Sequence, residues 1–287
     1  MKSTPWPARQ AGGDPGWPVR LFNRSVLKQR KLKEILALLG PSDGLNCLDI
    51  GSDNGVISYL LRQYGGHWKS ADLDEGSVRA IRTLVQSEVY QIDGRVTPFR
   101  DEEFDRVVIV DFLEHIADER VFVEELFRIL KPGGELVVNV PHNKDGLLRK
   151  LRYALGQTDE KHGHLRPGYT LESIRSLLCD HFEIITHRTY SGFFSELIDT
   201  IIVAAVTYLR RDKDTRSPKG LTVTGEDLSA YRLMFWFYSL IYPTVWLFSK
   251  LDGLLFFASG HLLILKARAN KEHFLLERRK PQTGDAQ

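Results

Sequence analysis

Short apolar runs alternate with helical segments along residues 46 to 140. The runs are rich in valine, isoleucine and leucine, which is typical of buried strands. Alternation of this kind predicts a parallel sheet with right-handed helical crossovers, and such sheets bind ligands beyond the carboxyl ends of their strands. The predicted strands are Asn46–Ile50, Trp68–Asp72, Val89–Ile92, Arg106–Val110 and Glu135–Val140.

Two further strands are predicted nearer the end of the chain, at Phe182–Tyr190 and His261–Ala269. They resemble each other in apolar character but are separated by residues 191–260. We therefore expect an α/β fold. Its centre would be a doubly wound, Rossmann-like, seven-stranded and mostly parallel sheet, with an antiparallel last strand and a helical hydrophobic insertion.

The expected organisation follows from composition and periodicity. Residues 1–24 are rich in Pro and Gly and are predicted to be a flexible arm. Apolar residues at helical spacing, with Ser25 at the start and Gly40 at the end, predict a basic amphipathic helix over residues 25–39. The predicted units are a core over residues 25–190, an insertion over 191–260, a last core strand over 261–270 and a polar tail over 271–287.

The insertion carries more aromatic area than the surface of a soluble domain normally exposes. Two helices are predicted in it, Ser195–Leu209 and Leu233–Ser249. The second contains Pro243 and is short for a membrane-spanning helix, so we interpret it as interfacial. Its aromatic residues, with two that follow it, are Phe235, Trp236, Phe237, Tyr238, Tyr242, Trp246, Phe248, Phe256 and Phe257.

Two uses of this insertion remain open, a lid or dimer interface that buries it and attachment to a membrane surface. Tryptophan, tyrosine and nearby cations are typical of the second use. The cations that would contact anionic lipid are Lys28, Arg30, Lys31 and Lys33 of the first helix, and Arg210, Arg211, Lys213, Arg216, Lys219 and Lys250.

The net charge of +2 does not call for a polyanionic partner, so nucleic acid is not the expected ligand. Cys47 and Cys179 are the only cysteines, which argues against a disulfide framework and for a reducing compartment. The first residues lack the apolar stretch of a secretory signal. We expect a cytoplasmic protein, with peripheral attachment to the inner face of the membrane as an option.

A glycine-rich turn, Asp49 to Gly55, follows the first predicted strand and precedes a helix-forming run. Such a turn lets the backbone approach a ligand closely. The spacing of Gly51 and Gly55, with no third glycine three residues later, argues against a dinucleotide-binding fingerprint. Asp72 ends the second strand, where a carboxylate can accept hydrogen bonds from both ribose hydroxyls of an adenosine.

The blocks LDIGSDNG, SADLD, QIDGRVTPFRDEEFDRVVIVDFLEHI and LFRILKPGGELVVNVP together resemble class I S-adenosylmethionine-dependent methyltransferases of the type 11 group, over roughly residues 45 to 190. The resemblance implies that Asp49 and Gly51 flank the methionine part, Asp72 the ribose, Ile92 to Gly94 the adenine, and Asp111 with Phe112 the sulfonium. The implied cofactor-binding residues are Asp49, Gly51, Asp53, Gly55, Asp72, Leu73, Ile92, Asp93, Gly94, Asp111 and Phe112. In the alternative interpretation, Asp72 and Asp93 are solvated turn residues or helix caps without a role in ligand binding. Asp74 is the alternative to Asp72 as the ribose-binding carboxylate.

One position departs from the family. Asp53 stands where the family usually has the middle glycine of the turn. Aspartate tolerates a positive φ angle better than most residues, so we expect the turn to form. Its carboxylate would then lie near the bound cofactor and could weaken binding.

Methyl transfer from a sulfonium is an in-line displacement, and a hydroxyl acceptor must also lose its proton. The candidate catalytic residues are His142 and His164, either of which could be the general base, and Asp111. The spacing of Asp111, Glu114, His115 and His164 also resembles the divalent-metal site of ubiquinone-pathway O-methyltransferases and plant small-RNA methyltransferases. We favour the simpler interpretation, in which Glu114 and His115 cap and pack locally at a helix start.

The predicted function is methyl transfer to a small lipophilic or lipid-linked acceptor, most simply at oxygen, with S-adenosylmethionine as cofactor and a divalent metal as an option. Two alternatives stay open. A methyltransferase of RNA or protein would show a continuous basic groove beside the site. A non-catalytic scaffold is suggested by Asp53. The expected partners are the acceptor, a membrane surface reached through residues 191–260, and a second copy in a homodimer.

Overall fold

The computed structural model describes residues 16–144, 146–157, 163–209, 228–255 and 258–271. Most of the predicted arm and nearly all of the predicted tail therefore lie outside the described residues. The same is true of part of the polar loop before Tyr169 and of part of the insertion. The side chains concerned are Asp159, Glu160, His162, Arg210, Arg211, Lys213, Arg216, Lys219, Phe256 and Phe257.

The described residues contain a seven-stranded sheet in the order β3-β2-β1-β4-β5-β7-β6. Strand β7 runs antiparallel to both of its neighbours, and the other strands are mutually parallel. This confirms the predicted fold class. The strands are β1 Asn46–Ile50, β2 His67–Asp72, β3 Val89–Gln91, β4 Phe104–Val110, β5 Leu130–Pro141, β6 Phe182–Tyr190 and β7 Leu262–Ala269.

Helices lie on both faces of the sheet, and each face has its own hydrophobic core. One core includes Phe104, Phe112 and Phe122, all fully buried. The other joins Leu32 and Ile35 of the second helix to the sheet. The helices are α1 Gly16–Phe22, α2 Val26–Leu39, α3 Val56–Arg62, α4 Glu75–Val85, α5 Glu119–Ile129, α6 Leu147–Ala154, α7 Leu171–Leu178, α8 Phe193–Leu209 and α9 Leu228–Leu251.

Local capping explains where α2 and α7 begin. The Ser25 side chain accepts a hydrogen bond from the Lys28 backbone N–H, and Gly40 ends α2 with a positive φ angle of 71°. Thr170 and Ser173 form a reciprocal capping box at the start of α7. These side chains satisfy backbone groups that a helix end leaves without intrahelical partners. The predicted position of α2 is confirmed.

Two boundaries differ from the prediction. Strand β5 begins at Leu130, ahead of the predicted start at Glu135, with an irregular register opposite Phe104. Helix α1 lies inside the predicted arm. Its Val19 and Phe22 are buried in the core beneath α2, so apolar packing outweighs the Pro and Gly content there.

The insertion forms α8, α9 and a short 3₁₀ turn, Asp252–Leu255. Helix α9 has 24 residues and continues through Pro243, beyond both predicted ends. The Asp252 carboxylate accepts hydrogen bonds from the backbone N–H groups of Gly192, Phe194 and Ser195, which fixes the start of α8 against the end of α9. None of the described helices is both long enough and apolar enough to span a lipid bilayer.

Candidate active site

The turn from β1 into α3 requires glycine at both predicted positions. Gly51 has a φ angle of 87°, and a Cβ atom there would lie 2.4 Å from the Val110 carbonyl oxygen. Gly55 has a φ angle of 79°, and a Cβ atom there would lie 2.7 Å from Ile81 Cα. Residues with a side chain rarely adopt these φ angles, and the neighbouring backbone atoms could not move away from a Cβ atom. Glycine at both positions therefore allows the turn to lie directly against β4 and α4.

Asp53 adopts the left-handed conformation that the turn demands, with a φ angle of 55°. Its backbone N–H donates to the Asp72 carboxylate at 3.2 Å, which ties the turn to the end of β2. The Asp53 carboxylate also attracts the Lys28 ammonium of α2 electrostatically. The expectation that aspartate can replace the middle glycine is therefore confirmed for the backbone of the turn.

Asp49 lies behind the turn and has no exposed surface. Its carboxylate accepts hydrogen bonds from the hydroxyls of Ser58 and Ser70, the latter at 2.7 Å, and from Arg62 at 3.4 Å. Burial raises the pKa of Asp49, and these donors oppose the rise. We correct the expectation of a ligand contact at Asp49, because in this arrangement its side chain braces β1, α3 and β2 instead.

Asp72 occupies the predicted position at the carboxyl end of β2. It is fully buried, and its carboxylate accepts from the backbone N–H groups of Asp53 and Leu73, the latter at 2.7 Å. A carboxylate held by backbone donors keeps a fixed orientation. Leu73 follows it and packs partly buried against the core of the sheet.

The predicted adenine segment, Ile92 to Gly94, follows β3. A Cβ atom on Gly94 would lie 2.6 Å from Ile116 and 3.4 Å from Leu73, so apolar side chains crowd the backbone there. The Asp93 carboxylate accepts from the backbone N–H groups of Arg95 and Val96 at 2.8 and 2.9 Å. These donors, Val96 first, lower the pKa of Asp93. The segment has the apolar walls and the ionised acid that the predicted adenine site needs.

Asp111, at the end of β4, belongs to a chain of polar contacts across the sheet. The Tyr190 hydroxyl donates to Asn139 Oδ1 at 2.5 Å, and Asn139 Nδ2 donates to Asp111 Oδ1 at 2.8 Å. The other Asp111 oxygen accepts from the Lys31 ammonium of α2. Asp111 itself has a φ angle of 45°. A strained backbone fixed by partners on α2, β5 and β6 is typical of a functional position.

The protonation states of the hydrogen-bonded residues Lys31 and Tyr190 follow from their surroundings. Burial disfavours the Lys31 ammonium, but attraction and hydrogen bonding from Asp111 outweigh it, so the pKa of Lys31 is raised. Burial, reinforced by Asp111, raises the pKa of Tyr190 well above its ordinary value, and its hydroxyl remains a donor. Lys31 thus points into the site, and Arg30 pairs with Glu34 at 2.5 Å. We therefore withdraw Lys31 and Arg30 as predicted lipid contacts.

Phe112 is fully buried, and its ring packs 5.2 Å from that of Phe122. Its side chain therefore belongs to the core rather than to an open cleft. Its Cβ atom would lie 2.9 Å from a Cβ atom placed on Gly51. We reassign Phe112 from contact with the sulfonium to close packing beneath the turn.

Three of the four predicted metal ligands come together beyond β4. The possible ligand atoms of Glu114, His115 and His164 all lie within 4.8 Å of one another. His115 Nδ1 lies 3.0 Å from the Gly163 carbonyl oxygen. Because a carbonyl only accepts, Nδ1 must carry the proton and donate. Nε2 is therefore the nitrogen that could bind a metal. Asp111 is not part of this group.

A carboxylate with two imidazoles is a donor set that suits the borderline cation Zn²⁺ and can also hold the harder Mn²⁺. Glu114 is fully buried, and the rings of His115 and His164 meet edge to face at 4.9 Å. The residues therefore fit a metal better than the local capping that we favoured from sequence. The Asp111 carboxylate is instead held by Lys31 and Asn139.

His142 occupies a second position on the carboxyl edge, just after β5. Its Nδ1–H donates to the Gly260 carbonyl at 2.8 Å, and its backbone N–H donates to the His261 carbonyl at 2.9 Å. Since the carbonyl fixes the proton on Nδ1, the neutral ring keeps a lone pair on Nε2. This tautomer is the one that a general base acting through Nε2 requires, whereas His164 lies with Glu114 and His115.

Sequence reasoning missed Asn139, Tyr190 and the inward role of Lys31. Asn139 carried a usable signal, because an amide within an otherwise apolar strand needs a polar partner. Lys31 carried none, since a lysine on an amphipathic helix is normally solvated. A separate groove of about 520 Å³ opens near His67 and Glu103, at the opposite edge of the sheet, and contains none of these residues.

The strand order, the antiparallel β7 and the glycine turn after β1 define a Rossmann-like domain. Residues 48–138 match the family model described as a methyltransferase domain, Methyltransf_11. This part of the chain is therefore similar to methyltransferase domains of that type, and S-adenosylmethionine is the cofactor of the class. The predicted resemblance and cofactor are confirmed.

Relatives match over about a third of the chain. The demethylmenaquinone methyltransferase of Clavibacter sepedonicus is 33% identical over 104 residues, which are 35% of this chain and 42% of that protein. The ubiquinone biosynthesis O-methyltransferase of Xylella fastidiosa strain 9a5c is 30% identical over 105 residues, 34% of this chain and 43% of that protein. The matched region thus spans less than half the length of either relative.

A solved structure extends the likeness in fold to the rest of the chain. Geranyl diphosphate C-methyltransferase from Streptomyces coelicolor A3(2), in complex with Mg²⁺, geranyl diphosphate and S-adenosyl-L-homocysteine, aligns with a TM-score of 0.51 and 12% identity. The alignment covers 85% of this chain and 78% of that one. At this identity the likeness concerns the fold alone.

Proposed function

We propose that this chain is an S-adenosylmethionine-dependent methyltransferase that methylates a lipophilic acceptor at oxygen. The observation that carries the proposal is the position of Asp111, beside the glycine turn and joined through Asn139 to Tyr190. Tyr190 ends β6, directly before the apolar insertion begins. The edge of the sheet at which the cofactor is expected to bind and the start of the apolar insertion are therefore both connected to the Asp111 carboxylate.

The names of the two relatives support a lipophilic ring as acceptor, because both refer to quinones. The aromatic helices of the insertion support it independently. An apolar wall with a few polar groups at its base is the usual form of a site for such ligands. Lys31, one of the cations of the first helix, is paired with Asp111 and is therefore not available to contact an RNA phosphate.

When bound, S-adenosylmethionine supplies a methyl group on a positively charged sulfonium. The residues of this chain orient and deprotonate the acceptor. Asp111 places a carboxylate, held at both oxygens, where the resemblance puts the sulfonium region. His142 Nε2 holds the lone pair that takes the proton of the acceptor hydroxyl, while Gly260 holds the other ring nitrogen.

Glu114, His115 and His164 would hold a divalent metal in this proposal. A metal bound there would lower the pKa of an acceptor hydroxyl. Lys31 lies close enough to feel the charge of Glu114 as well as that of Asp111. The acidic and basic groups of the site are therefore coupled through α2.

Two measurements on the full chain test the proposal. Calorimetric titration with S-adenosylmethionine should show micromolar binding, and its absence would favour the non-catalytic scaffold. Methyl-labelled cofactor is then incubated with catechol and quinol acceptors that bear an isoprenoid tail, with total RNA, and with protein. Label recovered in the organic phase, on oxygen, is expected. Label confined to RNA or protein would overturn the lipophilic acceptor.

A further inference from the structure

Helix α9 presents a stripe of large apolar side chains to solvent. Leu240 is 80% exposed, Trp236 70% and Leu254, in the following 3₁₀ turn, 68%. Leu247 and Trp246 are about half exposed. Residues 236, 240 and 247 repeat at intervals of four and seven, so they share one side of the helix, which Trp246 flanks. Leu254 lies just beyond the end of the helix. We call these five residues the α9 outer face.

The opposite side of α9 already supplies what the fold needs. Val245 is buried with Ile198 and Ile202 of α8, and Phe237 and Ile241 pack around them. Val26 and Leu27 of α2 complete the same cluster. Because this inner side anchors α9, the outer face is not part of a core. Contiguous exposed apolar area of this kind marks an interaction surface.

The charged side chains within α9 itself have one sign. The sequence of α9 contains no aspartate or glutamate, whereas Arg232 and Lys250 are both exposed. Lys250 lies 5.5 Å above the ring of Trp246. The nearest following acid, Asp252, accepts hydrogen bonds from the backbone at the start of α8.

Helix α1 adds to this positive rim. Its Trp17 ring meets Phe235 edge to face at 5.9 Å. Arg20 lies 5.3 Å from the centre of the Trp17 ring, and Arg24 lies 5.4 Å from that of Phe235. Exposed arginines in cation–π contact with aromatic rings therefore border the amino-terminal part of α9.

We infer that the α9 outer face docks on the surface of a lipid bilayer rich in anionic lipids. Leucine and tryptophan would enter the boundary between headgroups and acyl chains, and the arginines and lysine would meet lipid phosphates. A second copy fits less well. In a two-fold dimer each face meets itself, so Arg232 and Lys250 would approach the like charges of the other copy, with no acid on α9 to balance them.

Docking in this orientation would leave one helix, α9, between the bilayer and the helix that carries Lys31. Helix α2 packs on α9 through Val26 and Leu27, and one turn later its Lys31 reaches Asp111. An acceptor dissolved in the bilayer would thus enter beside α2. Delivery of the acceptor rests on the proposed function, but docking does not, so vesicle binding is measured without any methyl donor.

The test is co-sedimentation of the full chain with vesicles of equal parts phosphatidylglycerol and phosphatidylcholine, and with phosphatidylcholine alone. Binding is expected on the anionic vesicles and should weaken as salt is raised. Trp236→Gln with Leu240→Gln should weaken binding by about tenfold or more, the effect of losing the burial of one large apolar side chain. Arg232→Gln with Lys250→Gln should remove the preference for anionic lipid.

The matched control is Val96→Gln with Ile185→Gln, which removes two exposed apolar side chains from other elements. It should bind vesicles like the unmodified chain, and thermal melts should show that all variants fold. Vesicle binding that survives the Trp236 and Leu240 changes would overturn the inference. So would absence of binding by the unmodified chain. A dimer in solution that those two changes dissociate, with no vesicle binding, would assign the face to a second copy.

Discussion

The Lys31 ammonium donates to the Asp111 carboxylate, which lies 80 residues further along the chain. The contact joins the first amphipathic helix to the end of β4, at the place where the resemblance puts the sulfonium. The pair is partly exposed, with the Lys31 side chain 21% and the Asp111 side chain 34% accessible. Its main consequence therefore concerns the position of the carboxylate, because solvent screens most of its contribution to stability.

Replacing either partner should lower activity far more than stability. For Lys31→Met we expect kcat/KM to fall by about tenfold, and for Asp111→Asn by about a hundredfold, with unfolding free energies changed by less than about 1 kcal/mol. In the double variant the losses should not add, because the two residues act as a pair. Lys33→Met, an exposed change on the same helix, is the control. Additive losses would contradict the pairing.

The glycine turn should tolerate no side chain at Gly51. Gly51→Ala places a methyl group 2.4 Å from the Val110 carbonyl oxygen, so we expect loss of cofactor binding and destabilisation by more than about 2 kcal/mol. Gly44→Ala is the matched control, since Gly44 also has a positive φ angle but no atom within 4 Å of the added methyl. It should cost about 1 kcal/mol through backbone strain. Equal effects would show that strain alone governs both positions. Calorimetry and denaturant melts measure both quantities.

His142 should act on the rate more than on binding. For His142→Gln we expect kcat to fall by about a hundredfold or more, with the affinity for S-adenosylmethionine unchanged. The pH dependence that an imidazole base imposes on the rate should disappear with it. His187→Gln, an exposed change on β6, should leave both quantities unaltered. A variant at His142 that keeps the original pH profile would exclude it as the base.

Glu114 should control metal content independently of activity. After incubation with Mn²⁺ or Zn²⁺ and gel filtration, the unmodified chain should retain stoichiometric metal by mass spectrometry. Glu114→Gln should lose most of it, since one of three close ligands is removed. Glu124→Gln, an exposed change on α5, should retain it. Equal metal content in all three proteins would return Glu114 and His115 to a purely structural role.

His261 should make stability depend on pH. Burial lowers the pKa of its imidazole, although Asp199 and Glu196 pull in the other direction. The unfolded chain therefore binds a proton first as pH falls below about 6.5, and stability should decline from there towards the lower folded pKa. His261→Asn, which can keep a donor to the Ser191 carbonyl, should flatten that decline in chemical melts. His67→Asn is the exposed control, and an equal flattening there would contradict the assignment.

The sequence by itself determined the elements. Strand runs, the Ser25 and Thr170 caps, and the glycines of the turn are local features, and each is decided by residues within a few positions of one another. Their order then fixes the parallel sheet and the edge at which ligands bind. The positions of Gly51 and Asp72 at that edge were predicted for this reason, whereas that of Asp93 was implied by the family resemblance.

The tertiary structure decided which of these residues face the site. Asp49 turned away into a buried network with Arg62, and Lys31 turned inward from a helix whose cations we expected to meet lipid. The two sides of α9 were likewise separated only by packing on α8 and α2. Contacts of this kind join residues tens of positions apart, and their formation depends on how helices settle on the sheet. A local pattern of polar and apolar residues does not contain that information.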